Sequence, residues 1–121
     1  RQYLNFAEFV WSIGRLLRRA QSFFERCQYL GNIEVSAELR QVLNEGLIYR
    51  EDGFPDDLEQ NRCFDSTVSA FVHIVSQELS ERDKFIAVVD ELSGQLLWSF
   101  NLNPSQRKDY VEIVLNKSGL L

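Results

Sequence analysis

Methionine is absent from the 121 residues, and the chain has only two cysteines, two prolines and one histidine. Cys27 and Cys63 lie far apart and outside any ligand motif, so we expect reduced, buried thiols rather than a disulfide framework. No apolar run approaches the roughly 20 residues that a membrane span requires, and no signal peptide is recognisable. These absences predict a cytoplasmic location, and the missing methionine predicts a domain excised from a longer protein.

Motifs that carry chemistry are equally scarce. The six glycines are scattered singly, which argues against a phosphate-binding glycine loop. Cys27, Cys63 and His73 are too widely spaced to form a zinc site. His73 is the natural candidate for a general base, but no nucleophile or orienting acid accompanies it. We therefore predict that the chain is not an enzyme and needs no metal or cofactor.

Charge is distributed unevenly along the chain. The net charge of −5 disfavours nucleic acids and anionic membranes on average. Residues 1–30 nevertheless carry five arginines against two acids, whereas residues 34–65 carry nine acids against three arginines. Two interpretations remain open: the basic and acidic segments contact each other, or one of them contacts a partner.

The first third of the chain predicts a long amphipathic helix. Asn5 followed by Glu8 predicts a capping box at its start, and Gly31 predicts its end. Apolar residues recur at spacings of three and four, which places them on one face. They are Phe6, Val10, Ile13, Leu17, Ala20, Phe24 and Cys27.

Alternation of apolar and polar residues over 33–39 predicts a strand with one buried face. The turn residues 44–46 before the apolar run 47–50 predict a β-hairpin with that strand. Residues 51–62 combine Gly, Pro and acids and predict an exposed loop. Residues 66–77 fit either a strand or a helix, and their β-branched content favours a third strand that pairs with the hairpin.

Residues 80–101 are ambiguous. Ser80 with Asp83 predicts a capped helix, whereas Val and Ile content and the glycine at 94 support two strands, 85–90 and 95–100. The helix is preferred. Asn103 and Pro104 predict the start of a last helix, whose apolar side consists of Tyr110, Ile113, Val114 and Leu115.

The fold class predicted for residues 1–121 is a single α+β domain. A small antiparallel sheet of about three strands is covered by the long N-terminal helix and by one or two C-terminal helices.

Four arginines of the predicted first helix form the candidate functional cluster, and we expect Trp11 to stack beneath Arg15. The same arginines could instead form a solvated face paired internally with Glu25 or with the acidic hairpin, and both interpretations remain open. Tyr3, Phe54 and Trp98 complete the candidate interaction surface, because aromatic and arginine side chains dominate interface energetics. The four arginines of the candidate functional cluster are Arg15, Arg18, Arg19 and Arg26.

Residues 23–39, Phe-Phe-Glu-Arg-Cys-Gln-Tyr-Leu-Gly-Asn-Ile-Glu-Val-Ser-Ala-Glu-Leu, and residues 96–100, Leu-Leu-Trp-Ser-Phe, carry a resemblance to a known family. This pattern resembles the region C-terminal to the Schlafen-type AlbA domain of bacterial ATP-binding proteins. There a helix ending in an aromatic-Gly pair leads into an amphipathic strand. The resemblance covers about half of the chain. It implies an accessory segment, with nucleotide or nucleic-acid chemistry in another domain, and it assigns no site residue because the ATP-binding motifs are missing here.

The sequence therefore predicts a non-catalytic interaction or assembly module. The predicted partner is another protein, a second copy, or the remainder of the same chain, and no membrane is expected. The alternative prediction is an accessory domain that binds nucleic acid through the arginine cluster of the first helix.

Overall fold

A computed structural model of the chain describes residues 3–43, 46–48, 63–100 and 108–121. Short 3-10 turns at Ser76–Ser80 and Trp98–Phe100 flank the second helix. The architecture is α+β with a long helix near the N-terminus, as predicted. The elements in chain order are β1 (Tyr3–Asn5), α1 (Phe6–Cys27), β2 (Asn32–Arg40), β3 (Gly46–Ile48), β4 (Thr67–Val75), α2 (Arg82–Leu97) and α3 (Lys108–Lys117).

Helix α1 begins where the sequence predicted. The side chain of Asn5 accepts a hydrogen bond of 3.2 Å from the backbone N–H of Glu8, which satisfies one orphan amide of the first turn. Four predicted apolar residues of this helix are buried in the core. They are Phe6, Val10, Ile13 and Leu17.

The predicted end of α1 at Gly31 is wrong. The helix ends at Gln28, whose φ of 57° lies in the left-handed region. The N–H groups of Gln28 and Tyr29 donate to the carbonyls of Glu25 and Phe24, so the last turn is closed without a glycine. Gly31 serves a close approach instead, because a Cβ atom there would lie 2.7 Å from the hydroxyl of Tyr29.

The main sheet consists of β2 and β4, which pair antiparallel from Asn32 opposite Val75 to Arg40 opposite Thr67. The predicted alternation is confirmed, since every second residue of β2 is half-buried and the residues between them are exposed. The strand interpretation of residues 66–77 is also confirmed. Strand β4 places Val68, Ala70 and Ile74 in the core.

The predicted β-hairpin is wrong. β3 pairs with β1 in parallel, with Leu4 opposite Leu47, and not with β2. Strand β2 ends where Gln41 adopts a φ of 59°, and the N–H of Val42 then donates to the carbonyl of Ser66 just before β4. The described antiparallel sheet therefore has two strands rather than three.

Helix α2 decides the ambiguity over residues 80–101 in favour of the helix. The predicted Ser80–Asp83 cap is wrong, because Glu81 occupies the N-cap without a side-chain bond and the Ser80 hydroxyl donates to the carbonyl of Gln77. The core residues of this helix include Phe85, Val89, Leu92 and Leu96, which follow helical spacing.

The predicted apolar side of α3 is confirmed in part, because Leu115 is buried and Tyr110 and Val114 pack partly buried against the core. Val111 and Leu115, four residues apart, are fully buried, whereas Ile113 is 50% exposed on another face of the helix. The predicted start at Asn103 and Pro104 lies outside the described residues. The helix packs against α1 and α2.

The two cysteines are free and differ in environment. Cys63 is buried, and its thiol donates to the carbonyl of Asp65. Cys27 is exposed, so the prediction of two buried thiols is wrong for this residue. It lies in the last turn of α1, ten residues beyond Leu17, the last buried residue of the helix. Among the helices of the described ranges, none combines the length and apolarity needed to cross a membrane.

Candidate functional site

Trp11 and Arg15 form a cation–π pair on the surface of α1. The guanidinium carbon of Arg15 lies 5.0 Å from the centroid of the Trp11 ring, which confirms the predicted stacking. Arg15 is exposed and Trp11 is half-buried. Because the two residues are four positions apart on one helix, this arrangement follows from helical geometry alone. It holds a flat aromatic ring and a fixed positive charge side by side.

Arg19 and Arg26 continue the exposed side of α1 beyond this pair. Their spacings of four and seven residues from Arg15 and Arg19 place all three arginines on one stripe. Within the described part of the chain, neither Arg19 nor Arg26 takes part in an ion pair. The stripe therefore presents positive charge to solvent.

Arg18 does not belong to this stripe. Its Nε donates to the carbonyl of Leu120 at 2.7 Å, and its Nη1 donates to the carbonyl of Leu79 at 2.8 Å and to the side chain of Gln21 at 2.6 Å. The guanidinium also lies 3.7 Å from the ring centroid of Phe85. Partial burial lowers the pKa of Arg18, and the carboxylate of Glu25 opposes that shift. Arg18 therefore connects α1 to the segments that contain Leu79, Phe85 and Leu120.

An open groove lies beside Trp11, between α1 and α3. It encloses about 410 Å³, and the exposed Ile113 and half-buried Tyr110 form part of its apolar wall. Charged side chains stand at its rim, with Glu8 on α1 and Lys117 on α3. We call this feature the Trp11 groove. It is lined by Ala7, Glu8, Trp11, Tyr110, Ile113, Val114, Lys117 and Ser118.

Sequence reasoning missed the contribution of α3 to this groove. Tyr110, Ile113 and Val114 were assigned to the core side of the last helix. The signal was the excess of apolar residues, because Val111 and Leu115 already supply a buried face and leave Ile113 on a second one. A helix with apolar residues on two faces has more apolar surface than its own core needs.

A second cavity of about 570 Å³ lies at the C-terminal end of α1, beside the turn Ser76–Ser80. Its walls include Phe24, Tyr29 and Leu30. The buried hydroxyl of Ser76 donates to the carbonyl of Tyr29 and accepts from the N–H of Gly31, so its bonding capacity is used within the fold. The rest of the lining is polar or charged and consists of Gln21, Glu25, Gln28, Gln77 and Ser80.

The other predicted surface residues are dispersed. Trp98 is 63% exposed in the turn after α2, and the cation–π contacts among the described residues involve Trp11 and Phe85 instead. Phe64 is also exposed, and its N–H donates to the carbonyl of Ser99, next to Trp98. Phe54 and the side chain of Tyr3 lie outside the described residues. The structure therefore brings Trp11 together with Arg15 and the stripe, but it does not bring Trp98 to them.

His73 lies on the solvent face of β4, as predicted. Its Nε2 is 3.9 Å from a carboxylate oxygen of Glu34, the residue opposite it on β2, and both side chains are more than half exposed. In the ranges that the structure describes, no group of three or more His, Cys, Asp or Glu residues is placed to hold a metal ion. The Trp11 groove and the arginine stripe are therefore the best-supported candidate site.

Comparisons with known proteins do not assign this chain to a family. No family model matches the chain, and neither does any curated protein or solved structure. The resemblance of residues 23–39 and 96–100 to the segment after the Schlafen-type AlbA domain stays a prediction.

Proposed function

We propose that this domain is a non-catalytic interaction module that binds a protein segment in the Trp11 groove. The observation that carries the proposal is the Arg15 guanidinium stacked on Trp11 at the edge of an open apolar groove. Tryptophan, tyrosine and arginine are the residue types that contribute most to binding energy at protein interfaces, and this surface combines all three.

The charges around the groove indicate the chemistry of the partner. Arg15 and Arg19 lie on the α1 side, and Lys117 stands at the rim on α3, against the single acid Glu8. The bound segment would place an apolar side chain against Ile113 and Trp11, and an Asp or Glu beside Arg15. A carboxylate next to a stacked guanidinium gains a directed hydrogen bond as well as Coulomb attraction. The source that we propose is a separate protein or another domain of the parent chain, as in an accessory domain of an ATP-binding or regulatory protein.

The experiment is a selection of random peptides on the immobilised domain, followed by titration of the enriched peptides by fluorescence anisotropy. We expect enriched peptides to pair an apolar residue with an acid. Trp11→Ala and Arg15→Gln should each weaken their binding by roughly tenfold or more. Trp98→Ala is the matched control, because it removes an exposed tryptophan elsewhere and should leave affinity unchanged. Peptides that bind Trp11→Ala as tightly as the unmodified domain would reject the proposal.

Binding of nucleic acid is the second candidate. The observation in its favour is the alignment of the exposed Arg15, Arg19 and Arg26 on one helix face. The net charge of −5 and the internal engagement of Arg18 weigh against it. Titration with a single-stranded and a double-stranded 20-mer at several salt concentrations tests it. Affinity that falls steeply with salt and is lost in the Arg15, Arg19 and Arg26 to Gln triple variant would support this candidate.

A further inference from the structure

The two outer edges of the β2–β4 sheet differ in the hydrogen-bond partners of their backbone groups. At the β4 edge, the N–H of Phe71 donates to Oε1 of Gln95 at 2.9 Å, and Nε2 of Gln95 donates to the carbonyl of Phe71 at 2.7 Å. The side-chain amide thus takes the place of a neighbouring strand. At the β2 edge, no strand among the described residues pairs with the backbone. Phe71 is thus capped at the β4 edge, whereas the outward backbone groups of β2 have no strand partner among the described residues.

The Gln95 contact also reveals which backbone groups of β2 point outward. Phe71 directs its N–H and C=O away from β2, so Phe71 and Ser36 form a non-hydrogen-bonded pair in the ladder. Because the direction alternates along an antiparallel strand, Val35 and Ala37 bond to β4. The outward groups therefore belong to Asn32, Glu34, Ser36, Glu38 and Arg40.

The core covers β4 more completely than β2. Val68, Ala70 and Ile74 are buried, whereas Ile33, Val35 and Leu39 on β2 are only half-buried. Helix α2 packs against β4, so the apolar row of β2 lies at the margin of the core. A further strand beside β2 would cover this row and pair its free backbone groups in the same step.

We infer that the occupant of this edge is β2 of a second copy of the chain, paired antiparallel about a two-fold axis through Ala37. This register places Glu34 opposite Arg40 of the partner subunit, and the symmetry repeats the pair. On the inner face it places Val35 opposite Leu39 of the partner subunit. The pairs between outward residues each exchange both backbone hydrogen bonds. The result is a continuous four-stranded sheet.

Charge and the length of strand overlap together select this register over its neighbours. The apolar faces of the two copies lie on the same side of the four-stranded sheet only in registers that set core-facing residues opposite core-facing residues. An axis through Ser36 sets Glu34 opposite Glu38 of the partner subunit, and an axis through Glu38 sets that residue opposite itself. Both place like charges in direct opposition, which destabilises a ladder. An axis through Val35 offers no opposite-charge pair. An axis through Leu39 also sets Glu38 opposite Arg40 of the partner subunit, but it overlaps only residues 38–40 of the strand, whereas the axis through Ala37 pairs residues 34–40.

The existing contacts of Arg40 do not prevent this pairing. Its Nε lies 2.8 Å from a carboxylate oxygen of Glu38 on its own strand, but its side chain is 77% exposed. A pair so open to water is held weakly and rearranges at little cost. In the dimer, Arg40 is flanked by its own Glu38 and by Glu34 of the partner subunit.

A pair of single variants tests the register directly. In its own dimer, Glu34→Arg sets two arginines opposite each other and Arg40→Glu sets two glutamates opposite each other. Each variant alone should therefore dimerise on the order of tenfold more weakly. Mixed together, the two variants restore an Arg–Glu pair at both positions. We expect sedimentation equilibrium to show a dimer for the unmodified chain and for the mixture, but monomers for each variant alone at the same concentration.

Controls separate this result from loss of folding. Far-ultraviolet circular dichroism should show unchanged secondary structure for each variant, and Arg82→Glu, the same charge change on α2, should dimerise like the unmodified chain. An unmodified chain that stays monomeric up to millimolar concentration would overturn the inference, and so would variants that dimerise equally well alone and mixed. Hydrogen exchange gives a second readout: the amides of Glu34, Ser36 and Glu38 should gain protection with concentration, whereas protection in the monomer would overturn the inference.

The inferred dimer does not depend on the proposed function of the Trp11 groove. The edge belongs to β2, whereas the groove lies between α1 and α3. Monomeric Arg40→Glu should bind the selected peptides with unchanged affinity, and Trp11→Ala should dimerise normally. The inferred dimer and the proposed peptide binding can therefore be rejected independently of each other.

Discussion

The guanidinium of Arg18 lies over the ring of Phe85, 3.7 Å from its centroid, and joins α1 to α2. Its nitrogens reach the carbonyl of Leu79, before α2, and that of Leu120, after α3. One side chain thus connects three segments that are far apart in sequence. Charged hydrogen bonds of this kind are stronger than neutral ones, and the stem of the side chain adds apolar contact.

Replacing Arg18 with Gln should destabilise the domain by about 2–3 kcal/mol, since it removes charged hydrogen bonds and the contact with Phe85. Arg15→Gln is the matched control, because Arg15 is exposed and its stacking on Trp11 contributes at most about 1 kcal/mol. Urea denaturation followed by circular dichroism measures both. Equal loss of stability in the two variants would contradict the distinction drawn between these arginines.

Replacing Gln95 with Ala should uncover the backbone of Phe71 and lower the free energy of unfolding by about 1–2 kcal/mol. Its N–H and carbonyl would each lose a partner at the edge of β4. Glu91→Ala is the control, because Glu91 accepts only the second bond of the same amide at an exposed position. Hydrogen exchange should show faster exchange at the Phe71 amide in Gln95→Ala and no change in Glu91→Ala.

Replacing Gln28 with Gly should stabilise the domain by about 0.5–1 kcal/mol. The φ of 57° at Gln28 is strained for a residue with a Cβ and free of that strain for glycine. Ser22→Gly, in the middle of the same helix, is the opposite control and should cost about 0.5–1 kcal/mol. Thermal unfolding of the two variants compares them. If both variants lose stability, the left-handed conformation of Gln28 is not a source of strain that glycine removes.

Replacing Gly14 with Ala should destabilise the domain by about 1–2 kcal/mol despite the better helix propensity of alanine. The new Cβ would lie 2.6 Å from Cδ2 of Leu115 and 3.0 Å from Cδ1 of Leu120, and Leu115 is fully buried. Ser12→Ala adds the same residue at an exposed site of α1 and should be neutral or slightly stabilising. Calorimetry that finds Gly14→Ala as stable as the unmodified chain would mean that the two leucines repack freely.

Local patterns predicted the elements whose causes are local. The Asn5 cap, the apolar stripe of α1 and the alternation in β2 depend on residues within a few positions of each other. The end of α1 was misplaced because left-handed backbone at Gln28 has no strong residue signal. Glycine was the expected residue there, and the nearest glycine was taken for it.

Pairings between distant segments were not predictable in the same way. The parallel pairing of β1 with β3 replaced an expected hairpin, because three-residue strands carry almost no pattern. Arg18 looked equivalent to Arg15 and Arg19 in the sequence. Its different role depends on the carbonyls of Leu79 and Leu120, which are backbone groups and have no residue signature. The candidate site was therefore predicted in its α1 half and missed in its α3 half.

The pairing of β2 with β4 has a consequence for the chain as it leaves the ribosome. Asn32 meets Val75, so the first strand of the sheet emerges long before its partner is synthesised. Helix α1 can form early, but Arg18 finds the carbonyl of Leu120 only after 102 further residues have been synthesised. Folding must therefore close long loops late in synthesis. Late closure slows folding and leaves both edges of β2 exposed in the nascent chain.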